Sequence, residues 1–557
     1  MIKSAAIDYS PRAYNPTDRR IFGLQSANQG LLIALARDSN LACLPCYAKH
    51  ENDFKDYCEL FGKFVRDKKT TWFIRNHEAD RLAPVGLLHR YDPLIGDHLW
   101  RRQLLDPTAY SVCGISHSIA SRQLMEGIGH LLIAPSTEWD ALVLTSEAVR
   151  QAVENIWSNW QDYFRERFKV VINPRINTTV IPLGVDCDFF DIGDGKNSVR
   201  QRGRHELNIS DKEIVILYFG RFSSQSKAHP IPMYMAVEQA ARSVSESVCF
   251  IMAGWFEDER QKNEFRLAVS SFCPSVKVCM LDGRVPKNRK NIWHMADVFV
   301  SLSDSIQETF GLTPLEAMAA GLPVIVSDWN GYRETIRDGI DGYKIPTSIP
   351  SGDIDRKVVE QYFVDGDFRS YYSNIAMMTA VDLPACVSAL VELIRDPERR
   401  RWMGQNGRTH VRTSYAWSVI IRQYEKLWEE LAEIREKAKE SGYQRPRLSS
   451  HPICADPLRL FGHYASSRVG NESVFTVADE NSLAVFDRLA ELSMNRSGSD
   501  LRLDHEATRR LIQLAADKDT LSIGDITEAF AERFNRQEIL ATASYLKKFG
   551  IFRSPPK

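Results

Sequence analysis

The sequence contains no apolar run near the roughly 18 to 20 residues that a membrane-spanning helix needs. Its best stretch, Gly30 to Ala36, is far too short. The start of the chain, Met1 to Ser4, has neither the apolar region nor the cleavage pattern of a secretory signal, so a cytoplasmic protein is expected. There is no excess of either charge: 71 Lys and Arg against 72 Asp and Glu leave a net charge of -1. That argues against a dedicated nucleic-acid binder, which carries a basic excess, but leaves room for a local phosphate-binding patch. The ten cysteines are scattered, and Cys43 and Cys46 are the only close pair. No second pair or His pair follows at zinc spacing, so free thiols in a reducing compartment are expected, and no metal site. No repeat recurs with a period of about 20 to 50 residues. What remains is ordinary globular material, 44% hydrophobic and 26% charged, and 557 residues give length for about three or four domains.

Between residues 30 and 190 short apolar runs alternate with helical stretches. Gly23 to Gly30 reads as a small-residue loop leading into a helix at Leu31 to Ala36. Thr70 to Ile74, Ser111 to Ser116 and Ala141 to Thr145 read as buried strands. The pattern restarts at Ile214 to Phe219 and continues through Val248 to Ala253, Val276 to Leu281, Asp297 to Leu302 and Pro323 to Ser327. Strands alternating with helices predict βαβ units and parallel sheets. Two α/β domains are therefore expected, 1–190 and 191–416. The joint between them is placed at Ile181 to Asp186 and the charged, glycine-bearing stretch to about residue 205. Residues 417–440 predict one long helix crossing back onto the first domain. Residues 441–472 read as a linker poor in apolar residues. Residues 473–557 read as an all-helical module of four helices with a small core of its own.

The segment Glu308 to Ser327, ETFGLTPLEAMAAGLPVIVS, carries the most chemistry. Thr313 reads as an N-cap, Pro314 as the first helical residue and Glu316 as the third-position partner of a capping box. Gly321 reads as the left-handed residue that ends the helix. A helix starting there, just after a strand, points free N–H groups and a positive dipole end into the crevice at the strand ends, where a diphosphate fits. Glu308 and Glu316 would flank the anion and accept hydrogen bonds from sugar or ribose hydroxyls. Arg221, at the end of the strand Ile214 to Phe219, and Lys227 in the polar loop after it supply positive charge at the same edge. Taken singly, each of these residues also has a plain reading as a cap or a solvated charge.

In combination, these pieces resemble retaining glycosyltransferases of family four, which have the GT-B fold of two Rossmann-like domains facing a cleft. Glu308 and Glu316 within ETFGLxPLEAMAxGLPV resemble that family's signature. Gly220, Arg221 and Lys227 resemble its phosphate-binding segment, and Val180 to Phe189 its interdomain segment. Gly331 to Glu334, Asp338 to Gly342, Asp396 to Asn406 and Tyr415 to Trp417 resemble later stretches, so the likeness covers roughly residues 20–435. The resemblance implies transfer of a hexose from a nucleotide diphosphosugar, with UDP or GDP as the nucleotide, to an acceptor hydroxyl in polysaccharide, glycolipid or glycoconjugate synthesis. It implies retention of configuration and no metal cofactor. Glu308 would hold the donor sugar; the backbone at Thr309, Phe310 and Gly311, with Leu312 beside it, would hold the sugar and distal phosphate. Glu316 would hold the ribose, Arg221 and Lys227 the diphosphate, and Arg284 and Val285 would read the base through backbone atoms. On the other side, the loop from Ser26 to Gly30 would face the phosphates, and His117 would lie near the reacting sugar. The sequence departs from the pattern at Ala228, where a glycine is usual, in the N-terminal loop, and in the acidic, insertion-like stretch Asp353 to Asp382.

Two other readings accompany this one: a nucleotide-binding scaffold without activity, and a sugar-nucleotide epimerase of the same fold. Trp157, Trp160, Tyr163 and Phe164, with Arg165, Arg167 and Lys169, form an amphipathic stretch. It suits either a helix packed on the core or peripheral contact with a membrane or lipid acceptor. The acceptor class stays open between sugar, lipid and protein. The C-terminal module is expected to serve a protein partner or oligomer.

Overall fold

Short runs rich in Val, Ile and Phe become the strands of two parallel sheets in the computed structural model. It describes residues 4–15, 23–65, 69–352, 356–366, 368–443, 452–518 and 520–555. The first sheet contains β1 (Ala6–Asp8), β2 (Cys46–Ala48), β3 (Phe73–Arg75), β4 (Leu87–Arg90), β5 (Ser111–Ser116), β6 (Ala141–Leu144) and β7 (Asn177–Val180), in the order β3-β2-β1-β4-β5-β6-β7. The second contains β8 (Ile214–Phe219), β9 (Val248–Gly254), β10 (Lys277–Asp282), β11 (Val298–Ser301), β12 (Val324–Ser327) and β13 (Gly342–Ile345), in the order β10-β9-β8-β11-β12-β13. Strands β9, β11 and β12 are buried at every residue, which explains apolar runs without alternation: helices cover both faces. In each sheet the strand order reverses once, at β1/β4 and at β8/β11. Such a reversal opens a crevice at the carboxyl ends of the strands.

The helix Trp417–Glu440 returns to the first half, as its sequence predicts. It buries Ile420, Ile421, Tyr424, Leu427, Trp428 and Leu431 in the same core as Leu31, Leu32 and Leu35 of the helix Gly23–Asp38. The chain thus passes between the halves twice, and the two passages are bonded side by side. Val185 N–H donates to the Tyr415 carbonyl at 2.8 Å and Trp417 N–H to the Val185 carbonyl at 3.3 Å. The joint is narrower than the sequence suggests. Residues up to about 205 were expected in it, but Lys196–Glu206 is a helix anchored to the second half. Its fully buried Arg204 bonds Asp297 at 2.7 Å and the Met295 carbonyl at 3.0 Å.

The small-residue stretch expected to be a loop is also helical: the helix Gly23–Asp38 already runs through it. The acidic stretch near 353–382 is a short antiparallel pair, β14 (Thr347–Ser348) and β15 (Ala380–Val381), bracketing the helices Arg356–Asp365 and Phe368–Met378; 353–355 lie outside the described residues. The amphipathic stretch lies in the helix Glu147–Phe168. Trp157 and Phe164 are buried, whereas Tyr163 and Phe168 are half exposed. Among the described residues no helix is long and apolar enough to cross a membrane.

Pro446–Lys557 is a separate compact unit. Its four helices, Ser482–Glu491, His505–Asp517, Ile523–Phe530 and Arg536–Lys548, fall where the apolar spacing predicts them. They enclose Phe475, Leu511, Ile512, Leu521, Ile526, Ile539 and Leu546. Beside them lies a three-stranded antiparallel sheet that the sequence reading lacked: β16 (Val474–Val477), β17 (Leu521–Ser522) and β18 (Phe552–Arg553), in the order β17-β16-β18. Strands of two to four residues, one pairing Val477 with Phe552, leave no local period to read. The linker holds a helical turn, Pro457–Phe461, with Leu458 and Phe461 exposed; 444–451 lie outside the described residues.

Candidate functional site

A cavity of about 340 Å³ lies where the β8/β11 reversal faces the first half. That is the size range of small-molecule sites. Its floor is a row of strand-end glycines: Gly220 after β8, Gly254 at the end of β9 and Gly283 after β10. At Gly254 a Cβ would lie 1.9 Å from the Gly220 carbonyl oxygen, so only glycine lets these ends close up and leave bare backbone facing the cavity.

At the reversal the charged residues meet. Lys227 and Glu308, which lie 81 positions apart in sequence, form an ion pair inside the cavity. Burial pulls the Lys227 pKa down, but Glu308 outweighs it and the ammonium stays charged. Arg221 pairs with Glu257 at 3.3 Å, and Glu257 also takes Arg369 at 3.2 Å from the helix Phe368–Met378. The two loops are tied to each other. Ser303 Oγ donates to the Lys227 carbonyl at 3.0 Å, and the His229 N–H donates to Asp304 at 3.3 Å. Asp304 is almost fully buried, and desolvation pushes its pKa up to about 7.

The helix after Glu308 spans Leu312–Ala319, starting two residues earlier than the sequence suggests. The cap is therefore Gly311 and not Thr313. Gly311 has φ +90°, and its Cβ would lie 1.9 Å from the Tyr332 ring, so the site demands glycine twice over. Gly321, at φ +82°, follows the helix end as expected. With no side chain on the cap, the first N–H groups of the helix open toward the cavity. Glu316 lines the same cavity; burial raises its pKa, against the pull of Arg289 and then Lys227. Thr309, Phe310, Gly311, Leu312 and Arg284 also line it. Val285 does not: it caps the helix Pro286–Met295 and is 43% exposed.

The first half contributes Gly23, Leu24, Ser26, His117, Ser118 and Leu183. Gly30 was expected here and is elsewhere. It sits in mid-helix, where its Cβ would lie 2.8 Å from the Trp417 ring, so it makes room for the returning helix and not for a ligand. His117 is at the cavity as expected. Its Nε2 meets the buried Asn28 amide oxygen at 2.7 Å, and desolvation, then His89, pulls its pKa down to about 3. The ring is neutral near pH 7, and the proton on Nε2 is assigned from the Asn28 contact.

The two halves touch through the same segments. Thr309 Oγ1 donates to the His117 carbonyl at 2.6 Å, and Ser146 Oγ donates to the Thr309 carbonyl at 2.8 Å. Glu334 accepts from the Glu147 and Ala148 N–H groups at 2.8 and 2.9 Å, so one half caps a helix of the other. The insertion helices reach both halves as well. Arg369 meets Glu257, and Arg122 stacks over Phe363 with 5.2 Å to the ring centre. Sequence reasoning missed Glu257, Asp304 and Arg289. Glu257 and Asp304 each work through a partner dozens of positions away, the Arg289 side chain bonds none among the described residues, and none of the three stands in a motif. Among the described residues no group of three His, Cys, Asp or Glu is placed to hold a metal.

The family model described as "Glycosyl transferases group 1" matches residues 199–362, the stretch that carries β8 to β13 and the charged residues. The chain is 25% identical over 185 residues to the lipopolysaccharide 1,2-N-acetylglucosaminetransferase of Salmonella typhimurium, covering 32% of this chain and 46% of that protein. It is 27% identical over 238 residues to the D-inositol 3-phosphate glycosyltransferase of Geodermatophilus obscurus, covering 40% and 48%. The chain spans about half the length of these curated relatives. Among solved structures, Anabaena HepE in complex with UDP superposes with a TM-score of 0.48 at 14% identity, covering 77% of this chain and 100% of that one. The fold, with two parallel sheets facing a cleft at their reversals, is of the GT-B class. Within that class the chain resembles the GT-B glycosyltransferases.

Proposed function

We propose that the chain is a glycosyltransferase that moves a hexose from a nucleotide diphosphosugar to an acceptor hydroxyl, with retention of configuration. The observation that carries this reading is the Lys227–Glu308 pair beside Arg221, at the strand reversal and at the open end of the helix Leu312–Ala319. Two cations and a helix N-terminus suit a diphosphate. A carboxylate one step further suits sugar hydroxyls. The relatives' names, an N-acetylglucosaminetransferase and an inositol phosphate glycosyltransferase, support sugar transfer.

On this reading Lys227 leaves Glu308 for the diphosphate when the donor enters, which frees Glu308 to accept from the sugar. Arg221 does the same from Glu257, whose second partner Arg369 keeps that carboxylate satisfied. The acceptor oxygen then bonds to the anomeric carbon on the face that the leaving diphosphate vacates. The carbon–oxygen bond to the phosphate breaks, and the acceptor proton passes to the departing phosphate oxygen. His117 stays neutral and positions the sugar; it is not the base. Arg221, Lys227 and the helix end supply the charge stabilisation, so no metal is needed.

The experiment is a panel of UDP-, GDP- and ADP-sugars in EDTA, read by thermal shift and by released nucleotide diphosphate. Stabilisation by one nucleotide series together with slow release of its diphosphate supports the enzyme. Stabilisation with no hydrolysis or transfer from any donor favours a binding module, and conversion of the donor sugar without transfer favours an epimerase.

A further inference from the structure

Besides Arg221, Lys227 and Arg284, the cavity lining holds a further cation, Arg289. Arg289 stands on the helix Pro286–Met295, which follows β10, the strand two places from the reversal. It lines the cavity with Gly283, Arg284, Thr313 and Glu316. Its neighbours are engaged: Arg284 holds Asp282 at 2.7 Å, and Lys287 holds Glu206 at 2.7 Å. The Arg289 guanidinium has no hydrogen-bond or ion-pair partner among the described residues, although Glu316 is near enough for their charges to act on each other. Its own helix gains nothing from it. Pro286–Met295 carries Lys287, Arg289 and Lys290 near its start and no acid in its first turn, the wrong sign for the dipole. A cation that costs its helix and bonds nothing, facing a buried carboxylate across a cavity, is placed for a ligand.

We propose that Arg289 is a specificity residue for the donor nucleoside, donating to a ribose oxygen whose hydroxyl Glu316 accepts. The inference rests on the donor-site reading above. A guanidinium and a carboxylate on one ribose form a donor–acceptor pair that fits a hydroxyl bearing both a proton and lone pairs. The diphosphate takes no part in this contact, and that separates Arg289 from Arg221.

The test is calorimetry on the full chain with UDP, GDP and ADP. It continues with the matching monophosphate and the 2′- and 3′-deoxy diphosphates of whichever binds. Arg289→Ala is expected to weaken diphosphate and monophosphate alike, by about tenfold. For one of the two deoxy ligands the loss should shrink to about twofold or less, and Arg289→Lys should recover part of the affinity. Arg221→Ala, measured alongside, should weaken the diphosphate far more than the monophosphate. A loss from Arg289→Ala confined to the diphosphate, or one undiminished with both deoxy ligands, overturns the ribose assignment. Unchanged affinity overturns it too. If the unaltered protein binds none of the three diphosphates, the donor-site reading fails first, and that result is distinct from the others.

Discussion

The two walls of the cleft differ in kind. The wall built on β8 to β13 presents Arg221, Lys227, Glu308, Glu316, Arg284 and Arg289, all capable of charge. Among the described residues, the opposite wall presents Gly23, Leu24, Ser26, His117, Ser118 and Leu183, and its one titratable group is held neutral. The charge lining the cavity is therefore one-sided. On the charged wall Lys227 is paired with Glu308 and Arg221 with Glu257, while the Arg289 guanidinium stands unpaired among the described residues. The neutral wall meets the charged one through backbone carbonyls at His117 and Thr309 and through the cap at Glu334.

The largest effect that separates the walls is expected at Lys227. Lys227→Ala removes a cation and leaves Glu308 unpaired next to the proposed phosphate site. Nucleotide diphosphate affinity should fall by roughly 3 to 5 kcal/mol in calorimetry. Arg221→Ala should lose about 1.5 to 3 kcal/mol, whereas Ser26→Ala on the neutral wall should change affinity less than about threefold. A comparable loss at Ser26 would break the comparison.

Glu308→Ala sharpens it. Turnover should fall by about two orders of magnitude or more. The affinity for free nucleotide diphosphate should hold or rise, because Lys227 no longer has to leave a partner. A parallel loss of both would place Glu308 on the phosphate and not on the sugar.

Glu334→Ala tests the contact between walls. Losing the cap on the helix Glu147–Phe168 should cost about 1 kcal/mol of stability. Turnover should drop while nucleotide affinity stays, since Glu334 does not line the cavity. Thermal unfolding and steady-state kinetics read the two parts separately.

Asp304 gives a smaller, pH-dependent effect. Its folded pKa of about 7 lies above the ordinary 3.8, so the folded state holds the proton more tightly. That contribution favours folding at low pH and is lost as pH rises from about 4 through 7. Asp304→Asn should raise the melting temperature relative to the unaltered protein at pH 8 and not at pH 4. An equal shift at both would show that the carboxyl does not titrate in this window.

The smallest effect should come from removing the separate unit. A chain ending at Ser450 keeps both walls and the returning helix, and should bind nucleotide diphosphate within about twofold of the full chain. Insoluble or non-binding protein would make the C-terminal unit integral to the fold.

The strands of the charged wall were legible because buried parallel strands are continuous apolar runs; Ile214–Phe219 matches its sequence reading residue for residue. Trp417–Glu440 was legible because its heptad-like apolar stripe is long. Gly23–Asp38 was misread because small residues near a glycine look like a loop, although Ala27 and Leu31 pack against the core and hold the helix. Thr313 was misread because a favourable cap lay two residues beyond Gly311, whose close contact with Tyr332 decides the start. In the site, Arg221, Lys227, Glu308 and Glu316 stood in motifs and could be named. Glu257, Asp304 and Arg289 could not, because tertiary contacts place them and nothing local marks them.

The most direct measurement is calorimetry of the full chain with UDP, GDP and ADP in the presence of EDTA, repeated with Lys227→Ala. The account predicts that at least one diphosphate binds without metal and that the substitution abolishes most of that affinity. No binding by any of the three, binding only when a divalent cation is restored, or binding indifferent to Lys227 would contradict it.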